Sequence, residues 1–292
     1  MRKPFLAAAA TALAVAVTGL VVVNQPAGAA LGDVPKDCQV STAAYRSDGQ
    51  RLTYTYNGGL VGTKAYAGDK LRWVPSALQQ IGGSGDDTSF RSTEFAVHPT
   101  DGYLYRVSRR GELVDGAWRV PEVGVTRLEA GFGATRVLAY GYPYLYRVTG
   151  SALYRYTVDP STGVPAAAVR LATTGWSGVN SLVYERTAGT GAGAVDVLIG
   201  TDTGGQLKEW KINRATPTQV TAKALRLSGW SAFTSLSTGF CADHPAGRPL
   251  LAITAAGSAS VQFDANMSDG LGTDIKGGSL GALGWTARAY GQ

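Results

Sequence analysis

Long helical periodicity is missing from this chain. After residue 23 no extended stretch repeats apolar side chains every three to four positions, and residues 73–81 are the one weak helical candidate. A helical bundle is therefore excluded. Histidine is scarce, with two in 292 residues, and cysteine equally so. Two cysteines without clustered histidines make neither a zinc site nor a disulfide scaffold, so an apolar core must hold the fold. There is no run of Lys and Arg, which argues against a nucleic-acid partner. After residue 23 no stretch is long and apolar enough to span a bilayer, so no stable membrane insertion is expected.

Residues 1–29 read as a leader. Arg2 and Lys3 precede an apolar run from Phe5 to Val23, and Ala27-Gly28-Ala29 follows as a small-residue cleavage pattern. A signal peptide over residues 1–29, cut near Ala29, is expected, with secretion as the consequence; an uncleaved anchor is the other reading. Removing Arg2 and Lys3 lowers the formal charge from +6 to +4. Export suits a bridge between Cys38 and Cys241, although two buried free thiols also fit.

What the chain has in abundance is a repeated dipeptide. Gly175-Trp176, Gly229-Trp230 and Gly284-Trp285 open similar segments, and Gly131-Phe132 and Ser89-Phe90 are fainter copies upstream. The step from Trp176 to Trp230 is 54 residues and that to Trp285 is 55; the earlier steps are 44 and 42. Spacings of this size mark a repeat architecture. Between markers the pattern alternates as strands do, as in Leu104-Tyr105-Arg106-Val107 and Leu145-Tyr146-Arg147-Val148, and the 39 glycines supply turns. Segments 60–75, 104–121, 145–160 and 197–217 share one plan of strand, tight turn, strand and proline, and 250–266 keeps the strands.

Marker strand, hairpin and outer strand make a four-stranded antiparallel sheet, which cannot bury both faces alone. Packing five such sheets around an axis does so. The expected fold is all-β: a five-bladed β-propeller in one domain, residues 30–292, with repeats starting near 45, 90, 132, 176 and 230. The ring would close between the N- and C-terminal segments, with 284–292 as the closing segment. Cys38 and Cys241 would then sit in adjacent blades. An open β-solenoid is the structural alternative, and 51–56 is a second candidate for the closing strand.

The combination of GWSAFTSLSTG (229–239) with hairpins GYLYRVSRRGEL (102–113) and YLYRVTGSALYRY (144–156) resembles the tachylectin family of β-propeller lectins. The resemblance runs from about residue 89 to 285. It implies five blades and binding of N-acetylated amino sugars between neighbouring blades. The chain departs from the pattern through unequal repeats, such as the insert at 188–194, and through Phe in place of Trp in two markers. Fewer working sites than blades are therefore expected.

Candidate ligand-binding residues are Trp176, Trp230 and Trp285, with Ser177, Ser231, Thr286 and Asn180. An indole offers a flat apolar face to a pyranose, and the hydroxyls can bond sugar oxygens. The same tryptophans could instead wedge blades together, and the hydroxyls could satisfy turn backbone. His98 and His244 read as the same His-Pro hairpin of two different blades, hence as turn geometry, and Asp86-Asp87 as a solvated loop pair. No catalytic residue, metal site or cofactor is expected. The chain reads as a secreted, multivalent, non-catalytic binder of surface glycans, open to partner proteins in a larger secreted assembly. A secreted hydrolase or lyase working at the central channel and a protein-docking scaffold are the alternatives, since propellers host many functions.

Overall fold

The computed structural model describes residues 31–172, 174–287 and 289–291. The expected leader, residues 1–29, lies outside them. Among the described residues no helix is long and apolar enough to cross a membrane. The chain folds as a five-bladed propeller of four-stranded antiparallel blades. Blade 1 carries β1 (Cys38–Tyr45), β2 (Arg51–Asn57) and β3 (Leu60–Lys64). Blade 2 is β4 (Ala77–Gly85), β5 (Ser89–Val97), β6 (Leu104–Val114) and β7 (Ala117–Glu129). Blade 3 is β8 (Thr135–Gly141), β9 (Tyr144–Thr149), β10 (Ala152–Val158) and β11 (Pro165–Ala172). Blade 4 is β12 (Val179–Ala188), β13 (Val195–Asp202), β14 (Leu207–Asn213) and β15 (Val220–Arg226). Blade 5 is β16 (Phe233–Thr238), β18 (Arg248–Thr254), β19 (Ser258–Asp264) and β20 (Lys276–Ala282), with β17 (Phe240–Cys241) leaving it after β16.

Two separate pieces supply the inner strand of blade 1. The C-terminal β21 (Ala289–Gly291) pairs with Ala43, Ala44 and Tyr45, and β17 pairs with Cys38 and Gln39. The ring therefore closes, with the C-terminal segment completing the first blade, and 51–56 is β2 instead. Thr42 Oγ1 donates to the Gly291 carbonyl at 2.9 Å. The Cys38–Cys241 disulfide joins residues 203 apart in sequence at the other end of β1, across its pairing with β17. A crosslink over so long a loop restricts the unfolded chain strongly.

The markers repeat one backbone contact. Phe132, Trp176, Trp230 and Trp285 each donate an amide N–H to the turn between the second and third strands of the preceding blade, at Gly102, Ser151, Gly205 and Gly257. Leu71 does the same to Gly49. Those turns need a left-handed residue, and Gly49, Gly102, Gly150, Gly205 and Gly257 have φ between 56° and 83°. The marker leading into blade 2 is thus Leu71, and Phe90 is not one. Phe90 lies in β5 and packs on Tyr66 and Trp118. Three further expectations are corrected. Residues 73–81 form no helix, because Ala77 onward pairs as β4. Segment 60–75 is not a hairpin: β3 ends at Lys64, and the rest crosses to blade 2. His98 and His244 occupy different turns: His98 lies between the second and third strands of blade 2, and His244 precedes the second strand of blade 5.

Five apolar clusters fill the five blade junctions. Four are large, and each holds an aromatic marker. Trp176 lies between Tyr146 and Leu153 of blade 3 and Leu182 and Leu198 of blade 4. Trp285 stacks on Tyr54 with ring centres 4.7 Å apart. The junction of blades 1 and 2 is smaller and is completed by charge. Glu94 accepts from Arg51 at 3.1 Å, from Arg109 at 2.8 Å and from Tyr45, and Arg109 also reaches Asp69 at 2.5 Å.

Candidate ligand clefts between the blades

The sequence-predicted binding residues gather at the marker end of the ring but do not form one site. Trp176, Trp230 and Trp285 are each 4% exposed, with their rings between blades. Their faces are not open to a sugar, and this corrects the stacking role expected of them. Ser177, Ser231 and Thr286 are exposed beside them, and Asn180 is half-buried. Asn180 Nδ2 donates to the Ser231 carbonyl at 3.5 Å, which ties blade 4 to blade 5. Thr286 lines an opening with Arg46, Ser47 and Asp48 from the facing turn of blade 1. The Asp48 carboxyl is held well below the usual carboxylate range by hydrogen bonds from Arg46 and the Gln50 amide.

The central channel is a cavity of about 390 Å³ reached by all five inner strands. Gln79, Asn180, Ser181, Thr234 and Ser235 line it, and its lining includes no carboxylate. Arg136, the charged residue there, is spent on backbone: it donates to the carbonyls of Val179 at 3.2 Å, Gly150 at 3.1 Å and Trp176. Among the described residues no group of three His, Cys, Asp or Glu side chains could hold a metal.

A cleft of about 480 Å³ opens between blades 2 and 3. Blade 2 contributes Ile81, Thr93, Arg106 and Ser108, and blade 3 contributes Tyr140, Tyr142, Asp159, Pro160 and Ser161. Strand alternation sets this up: Thr93 and Ser108 are cross-strand partners in the β5–β6 register, so their hydroxyls share a face. Tyr142, in the turn from β8 to β9, is 65% exposed. Tyr140 is half-buried, with its ring edge-on to Phe95, and burial raises its phenol. Arg106 crosses the cleft and donates to the Thr162 carbonyl at 2.7 Å. It passes over Gly163, where a Cβ would stand 2.9 Å from the guanidinium. Asp159 closes its own turn: hydrogen bonds from Ser161 and the Thr162 amide lower its carboxyl to about 2. The cleft thus combines an exposed ring, two hydroxyls and an opposed pair of charges.

Sequence reasoning missed Tyr142 as a site residue. Its signal was present in Gly141-Tyr142-Pro143, an aromatic placed in a turn, where small and polar residues are the rule.

No protein-family model matches the chain, and no curated protein matches it in sequence. Solved structures similar to it include a lectin, BP39L, from Burkholderia pseudomallei, at 13% identity and a TM-score of 0.40, covering 86% of this chain and 82% of that one. A luciferin-regenerating enzyme matches at 12% identity and 0.39, covering 89% and 98%. A periplasmic gluconolactonase from Pseudomonas aeruginosa matches at 13% and 0.34, covering 82% and 81%. At these values the likeness carries no function to this chain. The expectation of a chain that is not an enzyme is corrected, because two of these similar structures are named as enzymes. The physical reason is that the frame does not decide the chemistry; the site does.

Proposed function

We propose that this chain is a secreted carbohydrate-binding propeller that recognises N-acetylated amino sugars on a glycan-bearing surface. The observation that carries the reading is the cleft between blades 2 and 3, where the exposed Tyr142 ring stands beside the Thr93 and Ser108 hydroxyls. A pyranose presents an apolar C–H face to an aromatic ring and hydroxyls to polar neighbours. Ile81 and Pro160 offer apolar contact for an acetamido methyl. Ser177, Ser231, Thr286 and Asn180 are proposed as lesser polar contacts at the marker end. The resemblance of the marker and hairpin segments to tachylectin-like lectins supports the same ligand class. The disulfide and the leader-like residues 1–29 support export. Single sites of this kind are weak, and several on one rigid ring, or on a partner assembly, raise avidity.

The test is a glycan array probed with the processed chain and with Tyr142→Ala. The expected result is capture on N-acetylated sugars and roughly tenfold weaker capture by the variant, about 1.4 kcal/mol. Equal capture by the variant would remove Tyr142 from the site, and capture on no glycan would remove the function.

A further inference from the structure

The face that blade 1 turns toward blade 2 is built unlike its counterparts. The other blades meet through leucine, isoleucine, valine and aromatic side chains. Blade 1 presents Gln39 and Ser41 from β1, Thr53, Thr55 and Asn57 from β2, and Lys64 from β3. The register aligns them in rows: Gln39 beside Asn57 and Leu60, Ser41 beside Thr55 and Gly62, Ala43 beside Thr53 and Lys64. Gln39, Ser41 and Asn57 are exposed. The result is a groove of about 550 Å³ with this polar floor, Gln80 on the wall and Phe240 at one end. Phe240 is 60% exposed and Leu60 is 76% exposed.

We propose that this groove binds a neutral oligosaccharide chain, as a sugar site separate from the Tyr142 cleft. The inference rests on the carbohydrate reading above and names the ligand of a second site. Amide and hydroxyl side chains both donate and accept, as sugar hydroxyls require. Lys64 is the one charged residue among the groove's lining, so a strongly acidic ligand finds little to pair with. The floor from Gln39 to Ala43 is about 13 Å long at roughly 3.3 Å per residue, longer than one sugar ring. Phe240 is held in place: it pairs with Gln39, the disulfide follows at Cys241, and a Cβ on Gly239 would stand 1.9 Å from the Gln39 carbonyl oxygen. A ring fixed in advance costs little ordering on binding. An extended peptide is less suited. Peptides add to sheets through a free edge, whereas the groove offers side chains on a sheet face.

The experiment is calorimetric titration of the processed chain with N-acetylglucosamine and with its β-1,4-linked tetramer. Unaltered chain, Tyr142→Ala, Phe240→Ala and Asn57→Ala are compared, with melting temperatures recorded to confirm folding. The expected result is two tetramers per chain, falling to one in each variant, with tetramer affinity at the groove at least tenfold above that of the monomer. If Tyr142→Ala alone abolishes all binding, the carbohydrate reading stands and the groove proposal fails. Tetramer binding unchanged in both Phe240→Ala and Asn57→Ala also overturns it, as does capture of an extended polar peptide with no tetramer bound. Binding lost in Phe240→Ala and indifferent to Tyr142→Ala keeps the groove and removes the Tyr142 site. If the unaltered chain binds neither sugar, the carbohydrate reading itself fails.

Discussion

Trp176, Trp230 and Trp285 lie with their rings between two blades and their backbone amides bonded to a turn of the preceding blade. Truncating a buried indole removes a large apolar area and leaves a cavity. Trp230→Ala is therefore expected to lose about 3–5 kcal/mol of stability, read by urea unfolding, with glycan affinity at Tyr142 unchanged where the variant remains folded. A selective loss of glycan binding at full stability would return Trp230 to the role of a sugar platform. The markers' place in the ring was legible because Gly-Trp recurs at a nearly constant step. Their burial was not, since the same flat ring serves a wedge and a platform equally well. Leu71 escaped notice because it shares the backbone contact without the aromatic side chain. Tyr142 and Phe240 are exposed through the turns and short strand that carry them, which no periodicity reports.

Blades 2 to 5 were readable as strand and turn because their outer-facing and inner-facing residues alternate. Blade 1 was not, because its hairpin is β1–β2 rather than segment 60–75, where Gly62 and Gly68 mimic the turn signals of the other repeats. Its junction with blade 2 depends on Arg51, Asp69, Glu94 and Arg109, which no local pattern links. Burial alone would raise the Glu94 carboxyl, but the neighbouring Arg109 and Arg51 guanidiniums and the Tyr45 hydrogen bond hold it below its usual value. The depressed value means that the carboxylate stabilises the fold above the unfolded pKa of about 4.3. That stabilisation is lost as pH falls through the lower folded value. Glu94→Gln leaves buried guanidiniums short of a counter-charge, and a loss of about 3–5 kcal/mol is expected at pH 7. Urea unfolding across pH 7 to 3 should show the gap between variant and parent narrowing below about pH 4. A gap that stays constant with pH would show that Glu94 carries no such stabilisation.

At the scale of the molecule, ring closure brings blade 5 against blade 1 and completes the fifth junction. The C-terminal β21 and the short β17 divide the inner strand of blade 1 between them, and the disulfide fastens the second piece. Cys38 and Cys241 were readable as neighbours only on the assumption of a closed ring, and the topology supplies that ring. The unequal repeats, legible as irregular marker spacing, translate into unequal junctions: four packed around an aromatic marker and one completed by ions and a polar groove. The proposed sugar site lies between blades, against an exposed aromatic ring. The most direct measurement is a crystal structure of the processed chain with an N-acetylglucosamine disaccharide. The expected result is a pyranose ring lying on Tyr142 between blades 2 and 3, with hydroxyls reaching Thr93 or Ser108. A disaccharide seated in the central channel, with the blade 2–3 cleft empty, would rule that site out.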